Sequence, residues 1–208
     1  MSTVSETLAP TALCNDEDVR IYLGRGLDEI DDEDRATIIR LVNAASETFT
    51  DESQRLFKID PALNPHERRF QVNAADLERG YLRIDDATDV VSVSSWDKRD
   101  GPSTGEAFTG FSTFTALPDE PIMELWLGYG TSLAAGFSVL SVTADWGWPK
   151  VPEKARQAVI YTAAEWFARD VEKFSATFSV EQGAIILPRV LPSQVLEIAT
   201  SYRRWRVA

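Results

Sequence analysis

Apolar residues along this chain recur with two different periods, and the switches between them divide it into three parts. Near the start, Cys14-Asn15-Asp16-Glu17-Asp18 precedes Val19, Ile21, Tyr22 and Leu23, with Gly24 and Gly26 following. Asn15 or Asp16 suits a helix N-cap, the acids after it favour the positive end of the helix, and Gly24 can stop it. A second acidic cluster, Asp28 to Asp34, opens a longer pattern in which Ile38, Ile39, Leu41, Val42, Ala45 and Phe49 share one face. That spacing predicts a helix from about Asp32 to about Leu56.

From Lys58 the period shortens. Phe70 with Val72, Tyr81 to Ile84, Val90 to Val93, Met123 to Leu127 and Val139 to Val142 are short apolar or alternating runs. Turn residues separate them, among them Asn64-Pro65, Asp100-Gly101-Pro102, Pro118-Asp119 and Gly128-Tyr129-Gly130, so five or more strands are expected. Asp97 to Ser112, rich in Gly, Ser and Thr, predicts a mobile loop or hairpin tip. Helix returns after Pro149. Pro152 fits a first turn, and Ala155, Ala158, Val159, Thr162, Ala163, Trp166 and Phe167 follow at helical spacing. After a less regular stretch over 174–187, Pro192-Ser193 opens a last helix carrying Val195, Leu196, Ile198, Ala199 and Tyr202. The predicted class is α+β: a small helical bundle formed by the N- and C-terminal helices, with a central β-rich insertion. We expect one domain, made of a flexible arm over 1–12, helices over 13–57, the β-rich insertion over 58–148, and helices with a tail over 149–208.

Composition narrows the function. A chain of 208 residues with 44% hydrophobic and 26% charged residues is ordinary for a globular domain and needs no covalent staples. No apolar run approaches the roughly 18–20 residues of a membrane span, and the opening MSTVSETLAP lacks the basic and apolar regions of a secretory signal. Cys14 is the only cysteine and His66 the only histidine, which excludes an intrachain disulfide and a cysteine-based zinc cage. The net charge of −12 opposes sustained binding to a phosphate backbone. Charge is also uneven. Residues 1–60 hold 14 acidic and 6 basic side chains, whereas residues 149–208 hold 6 acidic and 9 basic.

Candidate chemistry is sparse. The chain has no phosphate-binding Gly-Lys-Ser/Thr loop, and one histidine leaves little room for triad catalysis, so we expect no enzyme and no cofactor. His66, in Asn64-Pro65-His66-Glu67-Arg68, reads as a surface-loop residue. The acids at 16–18 and 28–34 lack the glycine and terminal glutamate of a calcium loop and suit helix starts, so no metal is expected. Trp126, Trp146, Trp148 and Trp166 with Tyr129 fit either a sugar-binding face or, more in keeping with such residues, core and interface anchors. We take Trp146, Trp148, Trp166 and Phe167 as subunit-packing candidates. The ending Tyr202-Arg203-Arg204-Trp205-Arg206 combines the residue types that dominate binding hot spots.

In their order, these pieces resemble the head–tail connector (adaptor, or head completion) family of tailed bacteriophages. The resemblance runs from Leu13 to Val19 and Tyr22-Leu23, through Ile39, Leu41, Val42, Ala44-Ala45-Ser46 and Arg55-Leu56-Phe57, to the strand Asp89 to Val93. Its most specific part is Val142 to Pro152, where a strand ends in Trp146-Gly147-Trp148 and Val151-Pro152 starts an Ala-rich helix; Tyr202-Arg203-Arg204 is similar to the family's last helix. Residues 98–117 and 174–187 have no counterpart. The resemblance implies a virion neck protein, made in the host cytoplasm, forming a ring of twelve identical subunits. That ring sits between the portal and the next neck, stopper or tail protein, and DNA passes through it without specific binding. Tyr202, Arg203, Arg204, Trp205 and Arg206 then become portal-interface candidates. An acidic subunit suits such a channel, because a basic lumen would hold phosphates. The alternatives are another virion subunit such as a tail completion protein, or a carbohydrate-binding module.

Overall fold

A computed structural model of the chain describes residues 7–24, 31–59, 61–98, 105–115, 117–128, 133–175 and 191–203, without the side chains of 170–175. The chain divides into two compact units, one made of residues 1–55 and 151–208, the other of residues 56–150.

The first unit is helical: α1 (Asp16–Tyr22), α2 (Asp32–Ser53), α4 (Glu153–Ser175) and α5 (Ser193–Tyr202). Asn15 caps α1 in a reciprocal box with Asp18, each side chain accepting from the other's backbone N–H, and Asp31 caps α2 by accepting from Asp34. The core is the apolar stripe expected from the sequence. Ile38, Leu41, Val42, Ala45 and Phe49 of α2 and Ala155, Ala158, Val159, Ala163, Trp166 and Phe167 of α4 are all buried. Alanines on α4 keep that helix thin and let its neighbours come close. Arg156 of α4 reaches Asp18 of α1 at 2.5 Å, and Asp16 binds Arg35 of α2 at 2.9 Å.

Helix α2 stops three residues short of the expected Leu56. Ser53 Oγ donates back to the Thr50 carbonyl, and Gln54 takes a left-handed conformation at φ 53° to close the helix. Leu56 and Phe57, whose spacing continued the helical stripe, belong to the other unit: Leu56 N donates to Asp86 Oδ2 at 2.9 Å, and the Phe57 carbonyl accepts from Trp148 N at 3.1 Å.

The second unit is a six-stranded antiparallel sheet in the order β1-β6-β2-β5-β4, with the short β3 also paired to β2. Its strands are β1 (His66–Gln71), β2 (Tyr81–Asp97), β3 (Glu106–Ala107), β4 (Phe111–Thr113), β5 (Ile122–Leu127) and β6 (Ser138–Trp146). Val72, Leu82, Ile84, Val93, Leu125, Leu140, Val142, Ala144 and Trp146 form its core. Two of the expected strands, Tyr81 to Ile84 and Val90 to Val93, are one continuous β2. The polar stretch between them sits where the register shifts, near Arg83, Ala87 and Asp89. Bulges there turn Asp85 toward Arg68 and Asp86 toward Leu56, so the polar residues interrupt the alternation without ending the strand. The stretch expected as a loop or tip over 97–112 contains β3 and the start of β4. Helix α3 (Ala74–Arg79), which the sequence reading lacked, has an Asn73–Asp76 capping box and Gly80 at φ 76° as its stop.

Candidate functional site

The Trp146-Gly147-Trp148 turn is the most elaborately fixed point of the sheet unit. Where β6 runs out, the Asn64 side chain continues the ladder in place of a strand. Its Oδ1 accepts from Trp146 N at 3.1 Å, and its Nδ2 donates to the Trp146 carbonyl at 3.0 Å. The Trp146 indole N–H donates to the His66 carbonyl at 2.8 Å, and the Arg68 guanidinium lies 4.7 Å from the centre of a ring that is only 2% exposed. Gly147 then adopts φ 113°, a conformation that L side chains rarely take, and its N–H donates to the Asp86 carbonyl at 2.8 Å. Thr88 Oγ1 donates to the Gly147 carbonyl, and Trp148 packs its half-buried ring 5.4 Å from Phe57.

The turn, with Phe57, Lys58, Asn64, Thr88 and Asp145, lines an open groove of about 380 Å³. Its hydroxyl, on Thr88, donates to the Gly147 carbonyl. His66 is not the surface-loop residue expected. It is the first residue of β1, half-buried, with its ring 5.9 Å from Trp146 and its Nε2 accepting from Arg68 Nε at 3.1 Å. The sequence signal for this was the proximity of Phe70 and Val72, which extends the strand back to His66.

The other predicted residues are dispersed. Trp166 and Phe167 lie in the helical core at 4% and 2% exposure, and Trp146 in the sheet core. Of the tryptophans a sugar-binding face would use, Trp126 is the well-exposed one, with Tyr81 beside it at 5.7 Å. At the end of α5, Tyr202 sets its ring edge on Phe49 and its carbonyl accepts from Arg55, while Arg203 forms an ion pair with Glu52 at 2.5 Å. Burial pushes the Tyr202 hydroxyl above its usual pKa, against the opposing pull of Arg55. Arg204, Trp205 and Arg206 lie outside the described residues. Asp16 is bound to Arg20 and Arg35 and Asp18 to Arg156, and among the described residues no group of three or more His, Cys, Asp or Glu is arranged to hold a metal. Nor is any described helix long and apolar enough to cross a membrane.

No family model matches the chain, and no curated protein matches it. Among solved structures it is similar to a chain from the neck of an empty GTA particle computed with C6 symmetry. That match has 18% identity and a TM-score of 0.52, and it covers 100% of this chain and 98% of the other. A chain from the neck of a native GTA particle computed with C12 symmetry aligns over the same shares at 17% identity, with a TM-score of 0.44. The first of these likenesses shows a shared fold.

Proposed function

We propose that this protein is a non-enzymatic structural subunit of a virion neck, acting as the head–tail connector that docks on the portal and receives the next neck or tail protein. The observation that carries the reading is the full-length likeness in fold to a neck chain. The sequence resemblance, which rests on the Trp146-Gly147-Trp148 turn, points the same way. The fixed turn favours a structural part over a reactive one, since its polar groups are engaged with backbone.

In this reading the subunits form a ring of twelve that follows the portal. The C6 symmetry used for the similar neck supports a cyclic arrangement, and twelve copies are compatible with it. The DNA passes through the channel without specific contact, as the charge of −12 favours. Tyr202 and Arg203 anchor the end of α5 on α2, and with Arg204, Trp205 and Arg206, next in the sequence, they make the portal contact. Of the proposed packing residues, Trp148 keeps part of its ring for a neighbour, while Trp146 fills the core of the sheet unit and Trp166 and Phe167 that of the helical unit.

Mass photometry of the purified protein, alone and mixed with the portal of the same particle, tests this. A subunit that joins the portal in stoichiometric rings, or a preformed ring that caps it, is the expected result. A protein that ignores the portal and binds isolated tails would replace the connector reading with that of a tail completion protein. Binding to neither, together with a tryptophan fluorescence change on glycan addition, would overturn the structural reading altogether. Removal of residues 204–208 is expected to abolish portal binding without lowering thermal stability.

A further inference from the structure

Asp89 of β2 and Asp145 of β6 stand opposite each other across the ladder, the first exposed and the second half-buried. Like charges at opposite positions work against strand pairing. Asp89 Oδ1 accepts from Val90 N at 2.9 Å, and among the described residues neither carboxylate is in an ion pair. Asp145 lines the groove at the Trp146-Gly147-Trp148 turn, together with the half-buried Trp148. The two acids outnumber Lys58, the basic side chain of the described lining. Because Asn64, Gly147 and Thr88 already fix the turn, a ligand entering there has little left to order.

Arg79 is the counterpart. It ends α3 and is exposed, and it is the one arginine among the described residues whose side chain makes neither an ion pair nor a hydrogen bond. Glu78, just before it, is not paired with it. The groove and Arg79 lie at opposite ends of the sheet. The groove is where β6 runs out at Trp146, opposite Ala87 of β2, whereas Arg79 directly precedes the start of β2, where Tyr81 pairs with Trp126. Six residues of β2 separate the two levels, about 20 Å at the rise of a strand, farther than an arginine reaches. Within one chain the acids and the arginine cannot meet.

We propose that Arg79 of one copy enters the groove of the next, stacking on Trp148 and pairing with Asp145 and Asp89. This deepens the connector reading and rests on it, since it names a contact that builds the ring. A planar guanidinium suits the site, because it can lie on an indole face while its fork binds carboxylates. A second copy is the occupant because the chain carries both halves of the contact, unpaired and at opposite ends of one unit. Copies joined this way leave a groove at one end and an arginine at the other, and such a head-to-tail contact generates a ring when the rotation closes.

The test uses the full chain, in which Cys14 is buried with its thiol pushed up to about 12 and stays silent toward maleimides. Glu78→Cys, beside Arg79, and Lys58→Cys, on the groove, are both at exposed positions and leave the proposed contact intact. The two variants are mixed, with and without portal, and treated with a short bis-maleimide. Covalent dimers in the mixture, and in neither variant alone, are the expected result, and a chain carrying both changes should link into species longer than two. Dimers from Lys58→Cys alone would show groove facing groove, and a doubly changed chain that stops at dimers would show a reciprocal two-fold pair. Either result overturns the proposal. Rings seen by mass photometry without cross-links in the mixture would also overturn it, while leaving the connector reading standing. Absence of rings under every condition would remove both. Independently, Arg79→Ala and Asp145→Asn are each expected to weaken assembly about tenfold at low salt with unchanged thermal stability, and together no more than either alone. Additive losses, or no loss, would count against the contact.

Discussion

Asn64 shows how much one side chain contributes where a strand has no partner. Its amide satisfies both backbone groups of Trp146, a residue 82 positions away, at the point where β1 no longer reaches. Asn64→Ala leaves that N–H and C=O with nothing in their place, and we expect a loss of about 1–3 kcal/mol in chemical denaturation. A change under a few tenths would mean that the turn is held by Gly147 and Thr88 alone. Cys14 makes a second prediction at this scale. Burial first, then Asp18, raises its thiol from 9.0 to about 12, against the pull of Arg156. The unfolded chain releases this proton near 9 and the folded chain near 12. The folded state therefore binds more protons between those values, and stability is retained below about pH 9 and lost as pH rises toward 12. Denaturation of wild type and Cys14→Ala at pH 8 and pH 10 should show the wild type losing about 1 kcal/mol more over that interval. Equal losses would place the thiol in contact with water. None of this is visible in the sequence beyond the identity of the residues, because both effects depend on what surrounds a side chain.

Among the elements, helices were the more legible. Asn15, Asp31 and Asn73 all cap by accepting a hydrogen bond three residues ahead, and Gly24 and Gly80 take the positive φ that ends a turn. These signals act within four residues, so they can be read along the chain. The α3 box was equally present in Asn73 and Asp76 but lay inside a segment dominated by strand-like alternation. What the sequence did not reveal is how the acids before α1 are used. Asp18 takes Arg156 of α4, 138 residues on, with the two side chains 14% and 35% exposed. A double-mutant cycle with Asp18→Ala and Arg156→Ala should give a coupling of about 0.5–1 kcal/mol, the scale of a partly exposed pair. Additive effects would show the contact to be energetically idle. Strand boundaries fared worse. Asp85 to Asp89 looks like a turn by composition, yet bulges absorb it and β2 runs on for 17 residues.

At the scale of the molecule, the sheet unit begins and ends at one place. Trp148 N donates to the Phe57 carbonyl at 3.1 Å, and the unit has its own core from Val72 to Trp146. A fragment of residues 56–150 is therefore expected to fold alone, with a dispersed amide spectrum and a cooperative thermal transition; a collapsed spectrum would show that it needs the helices. The α+β class and the order of helices, strands and helices were determined by the sequence itself, since hydrophobic period and capping are local properties that survive without knowledge of partners. Only the tertiary structure decided that Leu56 and Phe57 leave the helical stripe for the sheet, and that Asn64 replaces a strand. It also decided that Tyr202 and Arg203 are held on α2, and that β1 and β4 are the outermost of the described strands. Each of these depends on which distant residues meet, and burial, hydrogen-bond satisfaction and charge pairing across long sequence separations have no fixed signature in the order of residues along the chain.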